Sequence, residues 1–195
     1  MKLGTYGFAG PTEPPVLAFK RAMRQLASGV SVITHASGAH ITGVTATSVT
    51  SLTAEPPTLI VCVHRSASLY ARLGKGDLFG VNVLGAQHAE IAERFESHAD
   101  LEGDDRFQEG DWRTAPDGVP QLHDALAVFI CEAEDVIERH AQAILLGRVK
   151  LARPRAEGGA LLNWRGTYDR IGWSEEELSR AVGLRPHAPR QAVGG

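Results

Sequence analysis

The segment at residues 43–68 carries residue types that are suited to hold a flat, polar ligand. It reads GVTATSVTSLTAEPPTLIVCVHRSAS. The small residues of the run Thr45-Ala46-Thr47-Ser48 leave the backbone open to close approach and supply three hydroxyls. The segment ends in His64-Arg65-Ser66-Ala67-Ser68, whose cation and hydroxyls can donate hydrogen bonds to an anion. A planar heterocycle with a phosphate tail would match both ends, and a flavin nucleotide is the ligand hypothesis.

Each half of this segment also has an ordinary structural explanation. Threonine and serine alternating with valine are typical of an exposed strand face. Ser66 or Ser68 could cap the N-terminus of a following helix, and that helix end would itself offer N–H groups to a phosphate. The residues alone leave these interpretations open.

Helices make up the smaller part of the predicted structure. Apolar residues recur at helical spacing over residues 16–26, and Gly29 ends that helix. Residues 97–120 are charged and contain Gly and Pro, so we expect irregular chain there, with Phe107 and Trp112 as its anchors. The further predicted helices lie at residues 66–73, 86–95 and 174–182.

Strands are more numerous, and several follow one another directly along the chain. They are predicted at residues 30–34, 41–50, 58–63, 79–84, 126–130 within a longer strand, 141–151, 160–164 and 167–171. This succession favours a mainly β fold, an antiparallel barrel with peripheral helices. We expect one domain at residues 16–183, a flexible arm at residues 1–15 and a disordered tail at residues 184–195.

The composition narrows the function classes. The 195 residues are 43% hydrophobic and 22% charged, and the net charge of -3 argues against general nucleic-acid binding. No apolar run approaches the ~20 residues that span a bilayer, and the first residues lack the apolar core of a signal peptide. Cys62 and Cys131 lie in apolar strands and are expected to be reduced, which favours a cytoplasmic location.

Three common functional motifs find little support. Gly74-Lys75-Gly76 follows a predicted helix and precedes a strand, the reverse of a dinucleotide-binding phosphate loop. His88 and His98 have no second His or Cys at zinc-ligand spacing. No Gly-x-Ser-x-Gly occurs, which disfavours a serine hydrolase.

The motifs at residues 17–172 together resemble the flavin reductase family, small NAD(P)H:flavin oxidoreductases that supply reduced flavin to two-component monooxygenases. The motifs that carry the resemblance are FKRAMRQLASGVSVIT, GVTATSVTSLTAEPPTLIVCVHRSAS, FGVNVL, AERF, Asp105-Arg106-Phe107 before Trp112, ERHAQAILLGRV and LLNWRGTYDRI. The resemblance implies a split β-barrel, usually a homodimer, with FMN or FAD as the flavin. It also implies NADH or NADPH as the hydride donor and a flavin-dependent monooxygenase as the partner.

The resemblance assigns a flavin-binding role to several matched positions. In the family, the stretch matching residues 45–48 lines the flavin ring, the end of the next strand approaches the ring and the phosphate, and an Arg-Phe pair contacts the phosphate region. The predicted cofactor-binding residues are Gly43, Val44, Thr45, Ala46, Thr47, Ser48, Cys62, Val63, His64, Ser66, Ser68, Arg94, Phe95 and Tyr168.

His140 is the predicted catalytic residue. It matches the histidine of the family's Gly-Asp-His segment, which lies near the nicotinamide, but Glu138-Arg139 replaces Gly-Asp here. Because hydride transfer needs no acid–base residue, His140 would orient the nicotinamide or tune the protonation of the flavin. An ordinary turn histidine is the alternative. Tyr168, in the closing Arg-Gly-x-Tyr motif, is expected close to the same pocket.

The activity implied is hydride transfer from NAD(P)H to FMN or FAD. Two other functions stay open: a flavin-binding or electron-transfer module without NAD(P)H activity, and a monooxygenase or oxidase that retains its flavin. The choice between NADH and NADPH also stays open, because Arg139 or Arg148 could meet a 2′-phosphate or could simply be solvated.

Overall fold

The computed structural model describes residues 14–96, 103–114, 116–155 and 158–172. The helices are α1 (Pro15–Met23), α2 (Ala89–Arg94) and a 3-10 helix (Gly103–Phe107). The strands are β1 (Ser28–Gly29), β2 (Ser31–Ser37), β3 (His40–Ala46), β4 (Val49–Ala54), β5 (Pro57–His64), β6 (Leu78–Val83), β7 (Trp112–Thr114), β8 (Pro120–Leu122), β9 (Ala127–Arg139), β10 (Gln142–Pro154), β11 (Ala160–Trp164) and β12 (Thr167–Ile171). The predicted helix at 174–182, the tail and most of the N-terminal arm lie outside the described residues.

A seven-stranded antiparallel sheet forms the body of the fold. Its strand order is β3-β2-β6-β9-β10-β5-β4, and a smaller sheet has the order β1-β11-β12. The two longest strands, β9 and β10, have 13 residues each and are joined by a tight turn at His140-Ala141. β3 lies at one edge of this sheet and β5 lies next to the opposite edge, yet the two strands contact each other. The sheet therefore curls on itself. The predicted antiparallel β fold with peripheral helices is confirmed.

Apolar side chains pack on both faces of the central strands. The five residues of β2 from Ser31 to His35 are all buried, with Val32 in one core and Ile33 in the other. Full burial of a side chain of this size contributes about 1.5–3 kcal/mol. The first core includes Ile33, Val61, Phe79, Val81 and Leu145, and the second includes Val30, Leu84, Phe95, Leu122 and Leu161.

A buried amide connects β8 to the central strands. Asn82, which is fully buried on β6, donates from Nδ2 to the Val32 carbonyl at 3.1 Å and to Thr34 Oγ1 at 3.2 Å. Its Oδ1 accepts a hydrogen bond from the Leu122 N–H at 2.8 Å, and Thr34 donates to the Pro120 carbonyl at 2.6 Å. Since buried polar groups are costly unless they are paired, this network fixes β8 at one position on the sheet.

Residues 66–73 do not form the helix that the sequence predicts. The chain follows turns, in which the Ala67 N–H donates to the His64 carbonyl and the Tyr70 N–H to the Ala67 carbonyl, each at 3.0 Å. Ala67 and Leu69 are both buried. Residues two apart do not share a helix face, so burial of both side chains favours turns.

The other predicted elements differ from the structure mainly at their ends. The first helix ends at Met23 and not at Gly29, and α2 is shorter than the predicted residues 86–95. The predicted strand at residues 41–50 is interrupted at Thr47-Ser48, where β3 passes into β4. This break changes the surroundings of the predicted ring-lining run.

Gly147 on β10 leaves room for the buried ring of Phe79. A Cβ at this position would lie 2.4 Å from Phe79 Cζ and 3.0 Å from Cys131 Cβ. Phe79 and Cys131 are both buried and cannot move away without disturbing the core. We therefore expect Gly147→Ala to lower the free energy of unfolding, measured in urea, by about 1–3 kcal/mol. Gly29→Ala is the control, since a Cβ there meets no atom within 4 Å. Equal stabilities of the two variants would contradict this packing.

Candidate functional site

A groove between β3, the turns at residues 66–72 and the 3-10 helix contains part of the predicted site. Its volume is about 470 Å³. Of the predicted residues, Gly43, Val44, Ser66 and Ser68 belong to it. The lining residues are His40, Ile41, Thr42, Gly43, Val44, Ser66, Ala67, Ser68, Arg72, Gly103, Asp104 and Arg106.

The polar groups of the groove are suited to an anion. The hydroxyls of Thr42 and Ser68 share a 2.7 Å hydrogen bond, and Thr42 is buried. Arg72 is exposed in the lining, and Arg106 donates from Nη1 to the Gly43 carbonyl at 3.4 Å. Guanidinium groups beside hydroxyls bind phosphate through charge-assisted hydrogen bonds. The groove therefore has the donor set of a phosphate site.

Five polar residues of the groove are absent from the set predicted from the sequence. Arg106 carries a signal, because it stands in the Asp105-Arg106-Phe107 motif. No local pattern marks the others, because their side chains meet only where β3, the turns at residues 66–72 and the 3-10 helix come together. The five residues are His40, Thr42, Arg72, Asp104 and Arg106.

The run at residues 45–48 lies beside the groove and is not part of its described lining. Thr45 donates its N–H to the Phe95 carbonyl at 2.8 Å and its hydroxyl to the Ala92 carbonyl at 2.7 Å. These bonds attach α2 to β3, so the expectation of open donors is wrong for Thr45. The other members of the run are the buried Ala46 and the exposed Thr47 and Ser48.

The end of β5 places three predicted residues in different surroundings. Cys62 is half-buried, Val63 belongs to the first core, and His64 is exposed. His64 Nδ1 lies 2.7 Å from Ser66 Oγ and accepts a hydrogen bond from the Ser66 N–H at 3.2 Å. The prediction that a helix N-terminus offers N–H groups to a phosphate here is wrong, because residues 66–73 form turns. The donors that line the groove are hydroxyls and arginines.

Both cysteines are free thiols, and Cys131 is fully buried. Burial raises the pKa of the Cys131 thiol to about 12. The thiol therefore stays protonated at neutral pH, which makes it a poor nucleophile. Within the described ranges, no group of three or more His, Cys, Asp and Glu residues is arranged to hold a metal ion.

Phe95 packs in the second core, and its contact with the phosphate region of a flavin stays a prediction. Its ring is 0% exposed, and its centroid lies 4.9 Å from that of Phe107 and 5.3 Å from that of Trp112. A Cβ at Gly43 would lie 2.7 Å from Phe95 Cε1, so the glycine lets β3 pass close to the ring. Phe107 and Trp112 are confirmed as apolar anchors of their segment.

Arg94 attaches the 3-10 helix to α2. Its Nη2 donates to the Asp105 carbonyl at 2.8 Å, next to the Asp104 and Arg106 that line the groove. Its Nε is buried and has no hydrogen-bond partner among the described residues. Arg94 therefore positions one wall of the groove, while direct contact of Arg94 with a phosphate stays a prediction.

His140 lies at the turn between β9 and β10, beside the end of β5. It has a left-handed φ of 53°, which is uncommon for a residue other than glycine, and it is exposed. Arg65 Nη1 donates to the His140 carbonyl at 3.1 Å, and the Arg65 N–H donates to the Ala141 carbonyl at 2.8 Å. The structure thus brings His140 next to residues 64–66, although they are far apart in the sequence.

Tyr168 lies in a second groove that shares no lining residue with the first among the described residues. The Tyr168 hydroxyl donates to Glu96 Oε1 at 2.6 Å. Burial, this hydrogen bond and the charges of Glu96 and Glu93 raise the pKa of the Tyr168 hydroxyl well above its usual value. The hydroxyl is therefore protonated at neutral pH, and the structure does not bring it into the first groove.

Comparison with known proteins identifies the family of the chain. The flavin reductase like domain family matches residues 23–172. The chain is 35% identical over 181 residues to FMN reductase (NADH) RutF of Methylorubrum extorquens, covering 87% of this chain and 86% of that protein. It is 33% identical over 159 residues to the 4-hydroxyphenylacetate 3-monooxygenase reductase component of Pseudomonas aeruginosa, covering 82% and 94% of the two chains.

A solved structure shares both the fold and part of the sequence. The NADH:FAD oxidoreductase SgcE6 of Streptomyces globisporus, in complex with NAD and FAD fragments, superposes with a TM-score of 0.73 at 28% identity, covering 81% of this chain and 93% of that one. The chain therefore belongs to the flavin reductase-like domain family. The family and the split β-barrel fold expected from the sequence motifs are both confirmed.

Proposed function

We propose that the protein is a flavin reductase that transfers a hydride from NADH to FMN or FAD and supplies the reduced flavin to a partner monooxygenase. Its family supports this class of reaction. By their names, one relative is an NADH-dependent FMN reductase, one is a monooxygenase reductase component, and one is an NADH:FAD oxidoreductase. The observation that carries the proposal is that the groove with the donor set of a phosphate site lies beside the His140 turn.

The groove fits the phosphate of a flavin nucleotide by its donor chemistry. The hydroxyls of Ser66 and Ser68 would donate to phosphate oxygens, and Arg72 and Arg106 would neutralise their charge. Asp104 also lines the groove, and its repulsion of a phosphate is outweighed by the two guanidinium groups. Phosphate binding would thus fix one end of the flavin.

Apolar side chains give the same groove a surface for a flat ring. Ile41, Val44 and Ala67 contribute this surface, which excludes water from a bound heterocycle. A bound flavin supplies the hydride acceptor, and the protein's part is to hold donor and acceptor at reacting distance. His140 is exposed at the adjoining turn, where its imidazole can hydrogen-bond and orient the nicotinamide.

The described arginines favour NADH over NADPH. Arg148 is held by an ion pair with Glu134. It stands six positions after Gln142, about 20 Å along β10 from the turn, and so lies far from a nucleotide bound at His140. Arg139 donates from Nη1 to the carbonyl of Glu138 at 2.6 Å, which engages one end of its guanidinium locally. A 2′-phosphate would have to compete with these contacts.

We also propose that two copies of the chain associate through α1. This helix has no buried residue. Its side chains at Val16, Leu17, Phe19 and Met23 are 63%, 50%, 63% and 46% exposed. Val16, Phe19 and Met23 recur at helical spacing and so form one exposed apolar face, which is typical of an association site. A second copy is the proposed occupant, because a two-fold arrangement would bury the same apolar face on both chains.

A cytoplasmic location is part of the same proposal. Neither α-helix of the described structure has the length and apolar character to cross a membrane. The free thiols of Cys62 and Cys131 would stay reduced in the cytoplasm. The partner that takes up the reduced flavin there would be a flavin-dependent monooxygenase.

An anaerobic titration tests the activity. Addition of NADH to the protein with FMN should bleach the flavin absorbance faster than NADPH does. His140→Ala should slow turnover by about tenfold and leave the Kd for FMN within about twofold, because His140 orients the donor and does not hold the flavin. Absence of bleaching in the wild-type protein would leave a flavin-binding module. Oxygen insertion by this chain alone would identify a monooxygenase that retains its flavin.

Removal of a groove cation tests the phosphate site. Arg72→Ala should raise the Kd for FMN by about tenfold, the equivalent of ~1.4 kcal/mol, because one charge-assisted contact is lost. Riboflavin, which lacks the phosphate, should bind both proteins equally in the same fluorescence titration. Arg153→Ala, which alters an exposed arginine on β10, is the control. Equal weakening of FMN and riboflavin would contradict phosphate binding by Arg72.

A charge in the apolar face of α1 tests the dimer. Phe19→Asp should convert the dimer into a monomer in sedimentation equilibrium, because a buried unpaired carboxylate opposes association. Lys20→Ser, on the same helix, should leave the mass unchanged. A wild-type monomer, or a Phe19→Asp variant that stays dimeric, would contradict association through α1.

A further inference from the structure

Arg65, Tyr70 and Glu138 form a closed network beside the His140 turn. Arg65 Nη2 lies 2.8 Å from Glu138 Oε2, and the Tyr70 hydroxyl donates to Glu138 Oε1. The Arg65 guanidinium lies 5.8 Å from the centroid of the Tyr70 ring, within the range of a cation–π contact. Each oxygen of the Glu138 carboxylate therefore has its own partner, and the two partners contact each other.

The network joins two segments that carry different parts of the proposed site. Glu138 lies near the end of β9, two positions before His140. Arg65 and Tyr70 belong to the turns that contribute Ser66 and Ser68 to the groove. The Glu138 carboxylate thus connects the His140 turn, which would orient the hydride donor, with the segment that would bind the flavin phosphate.

Backbone contacts reinforce the same connection. Arg65 Nη1 donates to the His140 carbonyl at 3.1 Å while Nη2 contacts Glu138, so one guanidinium bridges the side chain and the turn. The Arg65 N–H donates to the Ala141 carbonyl at 2.8 Å. His140 has a left-handed φ of 53°, a conformation that persists only where its surroundings hold it.

Stability alone does not account for this arrangement. The side chains of Arg65 and Glu138 are 42% and 51% exposed. An exposed ion pair contributes about 0–1 kcal/mol to folding. Hydride transfer, by contrast, is sensitive to the placement of the two reactants, so a small displacement of the turn has a large effect on rate. The network is better suited to fix geometry than to stabilise the fold.

We propose that Glu138 is a positioning residue for the hydride donor, holding the His140 turn against the flavin groove through Arg65 and Tyr70. The proposal rests on the proposed reductase function and makes Glu138 act through other residues, without touching substrate. It gives a role to Glu138, the first residue of the Glu138-Arg139 pair that departs from the Gly-Asp expected from the family resemblance.

The test compares two glutamates of the same strand. Glu132 on β9 also forms an exposed cross-strand ion pair, with Lys150 at 2.9 Å, but lies away from the turn. At saturating FMN, Glu138→Ala should lower kcat/KM for NADH by about tenfold, mainly through KM, while the Kd for FMN stays within about twofold. Glu132→Ala should leave both values unchanged. Glu138→Gln, which keeps an acceptor for Arg65 or Tyr70, should recover part of the loss.

Amide hydrogen exchange without flavin or NADH supplies a second readout. Peptides that cover residues 136–145 should exchange faster in Glu138→Ala than in the wild-type protein, and at the wild-type rate in Glu132→Ala. Unchanged exchange and unchanged kcat/KM in Glu138→Ala would overturn the proposal. A Glu138→Ala variant that loses FMN affinity as strongly as kcat/KM and also has a lower melting temperature would overturn the proposal as well. Such losses would indicate a structural role only. If the wild-type protein does not oxidise NADH, the proposed function fails, and the exchange comparison still tests the network.

Discussion

The close approach of β3 to the buried ring of Phe95 is the contact on which the site depends. Gly43 permits this approach because it has no Cβ to meet the ring. Thr45 then binds the end of α2, the rings of the neighbouring segment pack around Phe95, and Arg106 reaches the Gly43 carbonyl. One wall of the groove is therefore built on an apolar contact, although the groove itself is polar.

The second half of the site depends on strand pairing. The end of β5 pairs with the start of β10, with His64 opposite Gln142 and Val63 opposite Ala143. This register places residues 64–66 beside the His140 turn, so the groove lined by Ser66 and Ser68 and the turn proposed to orient the nicotinamide become neighbours. Antiparallel pairing of two segments that are distant in the sequence therefore sets the position of the His140 turn relative to the groove.

The fold and the family were readable from the sequence because strand patterning and motif order extend over most of the chain. Local conformation was harder to predict. The spacing of apolar residues after Ser66 looks helical until the burial of both Ala67 and Leu69 is known. Thr45 looked available because its acceptor on α2 is remote in the sequence. The flavin-contact role of Phe95 came from the family resemblance, and the burial of its ring was not visible in the sequence. Arg72 was overlooked because only the turns direct it toward the groove.

At His140, the backbone angle and the proposed role of the side chain favour different residues. A left-handed conformation disfavours a residue with a Cβ by roughly 1–2 kcal/mol, and glycine would relieve that penalty. Selection for thermal tolerance alone would therefore drive this position toward glycine, and the imidazole would be lost with it. With the role proposed for His140, an engineering campaign that ranks variants only by melting temperature would enrich well-folded proteins that orient the nicotinamide poorly.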